Sequence, residues 1–224
     1  MTGALRLVVF DMDGTLIDSQ DHIHGAMTLA FDAVGHVLPP RDKILSSVGL
    51  SLPEAMAVLV PDLSNTERAA LVEAYKSSFG QMRADTHAPL FAGATSALDA
   101  LYAADNVLLG VATGKSRRGL AHALGAHNIG HYFVTSQVAD DHPSKPHPSM
   151  LQAALSETGV DHTCAVMIGD TTYDIEMGRA TGFRTVGVGW GYHDAGDLIS
   201  AGADIVIDDF AALAPALDLI WGQG

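Results

Sequence analysis

The spacing of apolar positions changes several times along the chain, and each change marks an element. Leu5-Arg6-Leu7-Val8-Val9-Phe10 is mostly apolar, β-branched or aromatic towards its end. That pattern predicts a strand covered on both faces, as in a parallel sheet. The period then becomes helical. Ile23, Met27, Phe31 and Val34 recur at three- and four-residue spacing, and Gly35 supplies a stop. Pro39-Pro40 breaks the chain, and a short segment from Arg41 to Val48 leads to Gly49. Ser51-Leu52-Pro53-Glu54 and Ser64-Asn65-Thr66-Glu67 both read as capping boxes. The second opens a helix with Leu71, Tyr75, Ser78, Phe79 and Met82 on related faces.

Beyond Phe91 the pattern alternates. Ala94, Ala97, Leu98, Leu101 and Tyr102 describe a helix, followed by a buried strand at Val107–Ala112 and a helix around Arg117 to Leu124. Tyr132–Thr135, Cys164–Ile168, Arg184–Val188 and Asp204–Ile207 read as strands, separated by helices over Pro148–Leu155 and Asp174–Ala180, the latter stopped by Gly182. Alternation of this kind predicts an α/β fold with a Rossmann-like parallel sheet and helices on both faces. The predicted division is an α/β core from residues 1–15 and 88–224, with a helical insert over 16–87.

Composition narrows the possible partners. The chain has 224 residues, 48% of them hydrophobic, so it can bury a sizeable core. Its formal charge of -14 and lack of a basic patch argue against nucleic acid. No apolar run is long enough to span a bilayer, and the first is too short for a signal peptide. The one cysteine, Cys164, sits in an apolar run and reads as a buried thiol in a reducing compartment. The expectation is a soluble cytoplasmic protein. Nothing in the pattern specifies an oligomeric state.

The candidate chemistry lies where strands end. Asp11-Met12-Asp13-Gly14-Thr15 follows the first strand directly. In open α/β sheets, ligands collect beyond the carboxyl ends of strands. Asp11 and Asp13 share a face if the extended geometry persists. Gly14 permits a sharp turn and lets its amide approach an anion. An ordinary turn explains the stretch equally well; a calcium loop does not, because its glycine belongs at position six. The remaining strand ends decide between a turn and a carboxylate pair. The second ends in Thr113-Gly114, the third runs into a loop holding Lys145, and the fourth ends in Gly169-Asp170 with Asp174 four residues on. Each has an everyday explanation, as a cap or a solvated charge, but their joint order along one sheet edge does not. Two like charges at ~4 Å repel by roughly 4 kcal/mol at an effective dielectric of about 20. One lysine cannot offset three or four carboxylates, whereas a divalent cation can. Oxygen ligands favour Mg²⁺, and the assembly reads as a receptor for a phosphoryl group.

DMDGTLIDS, VATGKS, SKPHPSML and GDTTYDIEMG resemble, in that order, the four motifs of the haloacid dehalogenase superfamily. The insert resembles its type-one helical cap, and the whole chain is most similar to the phosphoglycolate phosphatase-like branch of subfamily IA. The resemblance implies a five-stranded core sheet with an appended strand, a cap that moves over the site, and Mg²⁺. It makes Asp11 the nucleophile, Asp13 the acid and base, Thr113 a ligand of phosphoryl oxygens and Lys145 their counter-charge. It places Asp11, Asp170 and the Asp13 carbonyl on the metal, with Asp174 orienting the shell. The implied activity is hydrolysis of a small phosphorylated metabolite through an aspartyl phosphate.

Asp13 argues against dehalogenases, which lack an acid there. Sugar phosphomutases of this superfamily place a histidine near position 23, where this chain has Ile23 between His22 and His24. Pyrophosphate remains open as a substrate. A non-enzymatic phospho-accepting switch domain uses similar residues but has no helical insert. Substrate choice is expected in the loop Ser46–Leu52, with Ser47, Gly49 and Ser51 as specificity residues. That loop contains no cation, which counts against a carboxylate substrate such as phosphoglycolate. The stretch Gly187-Val188-Gly189-Trp190-Gly191 is expected to shape a loop rather than to touch substrate.

Overall fold

A computed structural model describes residues 4–85 and 87–222, without the side chains of 81–85; the expected role of Met82 and the outermost ends of the 1–15 and 88–224 segments lie outside these residues. Strand β1 (Arg6–Phe10) leads into four helices, α1 (Gln20–Val34), α2 (Arg41–Leu45), α3 (Leu52–Leu59) and α4 (Asn65–Asp85). Alternation then sets in: α5 (Ala94–Tyr102), β2 (Val107–Thr113), α6 (Arg117–His127), β3 (Phe133–Val138), α7 (Ser149–Thr158) and β4 (Ala165–Gly169). The chain ends with α8 (Thr172–Thr181), β5 (Arg184–Val188), α9 (Ala195–Ala201), β6 (Ile205–Ile207) and α10 (Leu213–Gly222).

The six strands form one parallel sheet in the order β3-β2-β1-β4-β5-β6. β1 pairs with β2 from Arg6↔Val107 and with β4 from Leu7↔Ala165. The strand order therefore reverses at β1, which puts Asp11 at the switch point where such sheets open a crevice. Side chains of β1 alternate between two buried clusters. Val8 and Phe10 join Leu98, Leu120, Ile168 and Leu217 on one face. Leu7 and Val9 join Met150, Leu151, Met167 and Met177 on the other. This two-sided burial is why the run 5–10 reads as apolar throughout.

Helices α1–α4 have an apolar cluster of their own, built from Ile23, Met27, Phe31, Ile44, Met56, Leu59, Leu71 and Val72. Leu16 and Ile17 belong instead to the cluster around Phe10. Ser64 and Glu67 form the expected reciprocal cap, with the Ser64 amide donating to Glu67 Oε2 at 2.8 Å and the Glu67 amide to Ser64 Oγ at 3.3 Å. The cap expected at Ser51 does not form. Ser51 has N-cap dihedrals, but its side chain bonds no helix amide; its own amide donates to Ser144 Oγ across the molecule.

Two strand starts also differ from expectation. Tyr132 and Cys164 lie in single 3₁₀ turns, Gly130–Tyr132 and His162–Cys164, that set up β3 and β4. Cys164 is half-buried rather than enclosed, at the margin of the cluster that contains Leu7 and Met167. Among the described residues no helix is long and apolar enough to cross a membrane.

Candidate active site

β1 delivers Asp11 to the sheet edge, where it is 1% exposed. β4 delivers Asp170, and the first turn of α8 delivers Asp174, both fully buried. One carboxylate oxygen from each lies within 4.8 Å of the others. Lys145, on the loop between β3 and α7, reaches Asp174 Oδ1 at 2.6 Å and Asp11 Oδ1 at 3.0 Å. Asp11 and Asp170 at strand ends, Asp174 four residues further on and Lys145 in the loop after β3 therefore meet.

Each acid is held differently. Asp174 closes a capping box: the Thr171 amide and hydroxyl donate to its Oδ2 at 3.1 and 2.7 Å, while Lys145 donates to Oδ1. Asp170 accepts from the Thr15 hydroxyl at 2.7 Å on one oxygen and the Tyr192 amide at 3.0 Å on the other. Asp11 is the exception. Neither of its buried carboxylate oxygens accepts a hydrogen bond of good geometry, although Lys145 is close.

The energetic consequences follow from burial. Desolvation pushes the Asp11 carboxyl up to about 7; Lys145 opposes the shift, and Asp174 and Asp13 add to it. Asp170 is raised well above the usual carboxylate range by burial first, then by Asp11 and Asp174. Burial alone would lower the Lys145 ammonium, but the Asp11 and Asp174 carboxylates outweigh it and hold the group above its ordinary value. Three buried acids therefore face one lysine. A buried carboxylate that accepts no well-formed hydrogen bond, beside two further acids and a single lysine, suits a hard divalent cation, and this donor set fits one.

Asp13 shares a cavity with Asp11, as their spacing suggests, but has an ionic partner of its own. β1 ends at Phe10, yet Met12 still joins Val8 and Phe10 in one cluster. The Asp13 carboxylate pairs with Lys115 at 2.7 Å and accepts from Ser19, while remaining near enough to raise the Asp11 carboxyl. A second lysine thus balances one acid of the group, where sequence reasoning counted only Lys145. Its signal was present in VATGKS, directly after Thr113-Gly114. Tyr192 was also missed. Its hydroxyl lies 2.9 Å from Ser19 Oγ and its amide holds Asp170, so it links the surroundings of both acids. Burial and Asp13 push its phenol upward.

Gly14 needs correction as an anion ligand. Its amide donates to the Ile17 carbonyl at 2.9 Å, closing a turn. What requires glycine is φ +82° and the space occupied by Asp170 and Tyr192, which a β-carbon would overlap. Trp190 donates to the Thr15 carbonyl at 3.1 Å and packs on Phe91 and Phe210, bracing the loop that carries Tyr192.

A cavity of about 400 Å³ opens above Asp11 and Asp13. Thr113, Gly114 and Lys115 line it from the sheet, and Ser47, Gly49 and Ser51 line it from the helical segment. Thr113 is buried, and its hydroxyl accepts the Lys115 amide at 3.2 Å. The loop 46–51 rests directly on the sheet side. The Ser46 carbonyl accepts from His193 Nε2 at 3.0 Å and from the Tyr173 hydroxyl at 3.3 Å. His193 Nδ1 accepts the Thr172 amide, which leaves the proton on Nε2.

Comparison with known proteins agrees with this geometry. "Probable phosphatase IndB" of Dickeya dadantii (strain 3937) is 32% identical over 214 residues, covering 94% of this chain and 92% of its own. "Pyrophosphatase PpaX" of Bacillus pumilus (strain SAFR-032) is 31% identical over 192 residues, covering 83% and 84%. A crystal structure from Haemophilus somnus 129pt, described as a predicted phosphoglycolate phosphatase, shares the fold with a TM-score of 0.86 at 22% identity, covering 96% of this chain and 99% of its own. The family profile described as haloacid dehalogenase-like hydrolase matches residues 8–188, a span running from the first strand to the fifth and taking in every acid and lysine of the site. The chain belongs to the haloacid dehalogenase-like hydrolases.

Proposed function

We propose that the protein is a Mg²⁺-dependent phosphatase that hydrolyses a small phosphate monoester through an aspartyl phosphate on Asp11. The supporting observation is the Asp11 carboxylate, buried beneath the cavity and paired with Lys145 but accepting no well-formed hydrogen bond, while Asp170 and Asp174 both accept them. Asp11 attacks phosphorus as an anion, and Lys145 offsets charge on the nucleophile and the phosphoryl oxygens. The Thr113 hydroxyl donates to a phosphoryl oxygen. Asp13, steadied by Lys115 and Ser19, protonates the departing ester oxygen and later deprotonates the water that releases phosphate. Asp11, Asp170 and the Asp13 backbone carbonyl would hold Mg²⁺, with Asp174 orienting the shell. When bound, the ion supplies charge stabilisation for the phosphoryl oxygens and relieves repulsion among the acids.

Helices α1–α4 act as a cap over the site in this reading, and the 46–51 contacts represent its closed position. A pyrophosphatase reading draws on the Bacillus relative, and the cavity lining below bears on it. A mutase reading finds Ile23 buried at 4% exposure where an acid/base histidine would stand. The test is phosphate release from a simple aryl phosphate. Turnover should require Mg²⁺, stop in excess chelator, resume when Mg²⁺ is restored, and vanish in Asp11→Asn. Full activity in excess chelator would remove the metal from the mechanism.

A further inference from the structure

The cavity has a polar floor and an apolar roof. Ile23 and Met27 of α1, Leu52 at the start of α3, and Tyr75 and Phe79 of α4 form that roof. Tyr75 and Phe79 stack, with ring centroids 5.4 Å apart and 23° between their planes. Lys115 Nζ lies 5.6 Å from the Phe79 centroid and 2.7 Å from Asp13 Oδ1. The aromatic wall therefore begins where the leaving oxygen would take its proton.

Several polar groups of the roof are already engaged. The buried Ser47 hydroxyl donates to the Ile44 carbonyl at 2.8 Å. The amides of Val48 and Leu50 donate to Leu45 and Ser47, and that of Ser51 to Ser144 Oγ. Among the described residues, the cations that line the cavity lie lower down or at its edge. Lys115 is paired with Asp13, Lys76 is paired with Glu73 on an exposed face, and Arg118 is exposed on the first turn of α6. A second anionic group on the leaving group would lose its water against apolar side chains without a buried counter-charge, an unfavourable exchange. A flat apolar ring would instead gain contact with the Tyr75–Phe79 pair. The cavity falls in the size range of small-molecule pockets and exceeds what a phosphoryl group with a two-carbon tail fills.

We infer that the substrate is a phosphate monoester whose leaving group is an uncharged, flat, predominantly apolar ring seated against Tyr75 and Phe79. The inference rests on the phosphatase reading and specifies its substrate class, excluding short carboxylates and a second phosphate.

The test compares alkyl esters, so that leaving-group acidity changes little: benzyl phosphate, ethyl phosphate and phosphoglycolate, with pyrophosphate alongside, followed by phosphate release in Mg²⁺. Benzyl phosphate should exceed the others in kcat/KM by about tenfold or more, the scale expected for burying one aromatic ring. Phe79→Ala and Tyr75→Leu should each reduce the benzyl-to-ethyl ratio severalfold. Preference for phosphoglycolate or pyrophosphate, or a ratio unmoved in both variants, would overturn the inference. Should either variant fail to fold, Phe79→Leu, which keeps apolar volume without the ring, reads the same ratio. If the wild-type protein hydrolyses no ester, the phosphatase reading fails, and calorimetry decides the pocket by itself. Tighter binding of benzylphosphonate than of phosphonoacetate supports it; equal or weaker binding overturns it.

Discussion

Replacing Lys145 by methionine isolates the electrostatics of the buried acids. The ammonium sits 3.0 Å from Asp11 Oδ1 and 2.6 Å from Asp174 Oδ1. At an effective dielectric of about 20, each pair carries about 5–6 kcal/mol of attraction. The cost of burying the lysine offsets much of this, and removing one partner of a buried pair typically costs about 3–5 kcal/mol net. For a chain of this size that corresponds to a fall in Tm of about 10 °C. The loss should depend on pH. Asp11 stands at about 7 against an ordinary 3.8. A carboxyl that holds its proton more tightly when folded favours folding at low pH, and that advantage is lost as pH rises from about 4 to about 7. About three pH units correspond to about 4 kcal/mol. Removing Lys145 deletes the main influence lowering Asp11, so in the variant the decline should continue above pH 7. Thermal melts in chelator should show the variant far below wild type at pH 8 and closer to it at pH 5, with Mg²⁺ recovering part of the deficit at pH 8. Melting within about 2 °C of wild type at pH 8, or a gap that widens towards pH 5, would refute this account.

Asp13→Asn keeps the nucleophile but removes the acid and base. Turnover should fall about 10²–10⁴-fold, and with a nitrophenyl ester rapid-quench mass spectrometry should find phosphate accumulating on the Asp11 peptide. Thr15→Val removes the hydroxyl that holds Asp170 Oδ1 and should weaken Mg²⁺ about 10–100-fold, read by calorimetry. Gly114→Ala directs a β-carbon at the Leu50 and Gly49 carbonyls, so it should raise KM more than it lowers kcat by holding the loop off the sheet. Equal changes in both parameters would count against that contact.

Sequence was most informative where chemistry coincides with a strand end. Asp11 and Asp170 were found because apolar runs stop beside them, and Lys145 because its loop follows another such run; a parallel sheet brings those stops to one edge. The same logic does not name partners. Asp13 lies beside Asp11 as the alternation implies, yet its pairing with Lys115 depends on how the loop after β2 comes to rest, which the run 5–10 does not encode. Contacts between distant segments were equally hidden. Thr15 and Tyr192 converge on Asp170 from opposite ends of the chain, and no local period encodes their meeting. The Ser51 pattern matched a cap, yet its amide serves Ser144 on another element. Gly14 was recognised as a turn residue, while its neighbour Ile17, which takes up its amide, was not.

Ile17 also bridges antiparallel to Leu90, and the Asp18 amide donates to the Pro89 carbonyl at 2.9 Å. The chain therefore leaves the sheet for α1–α4 and returns to it through two adjacent strands of backbone, with paired Cα atoms about 5 Å apart. The covalent connection of everything between them is one narrow neck, and the 46–51 loop adds contacts but no second chain crossing. A cut at that neck leaves ends that a two-residue turn can rejoin, so excising the helices is expected to preserve the register of β1 with β2. The same neck could receive a different helical segment of any length, provided it begins and ends side by side. Exchange of this part between genes is then a local splice, and the lining above Asp11 can diversify while the acids and lysines below stay where they are.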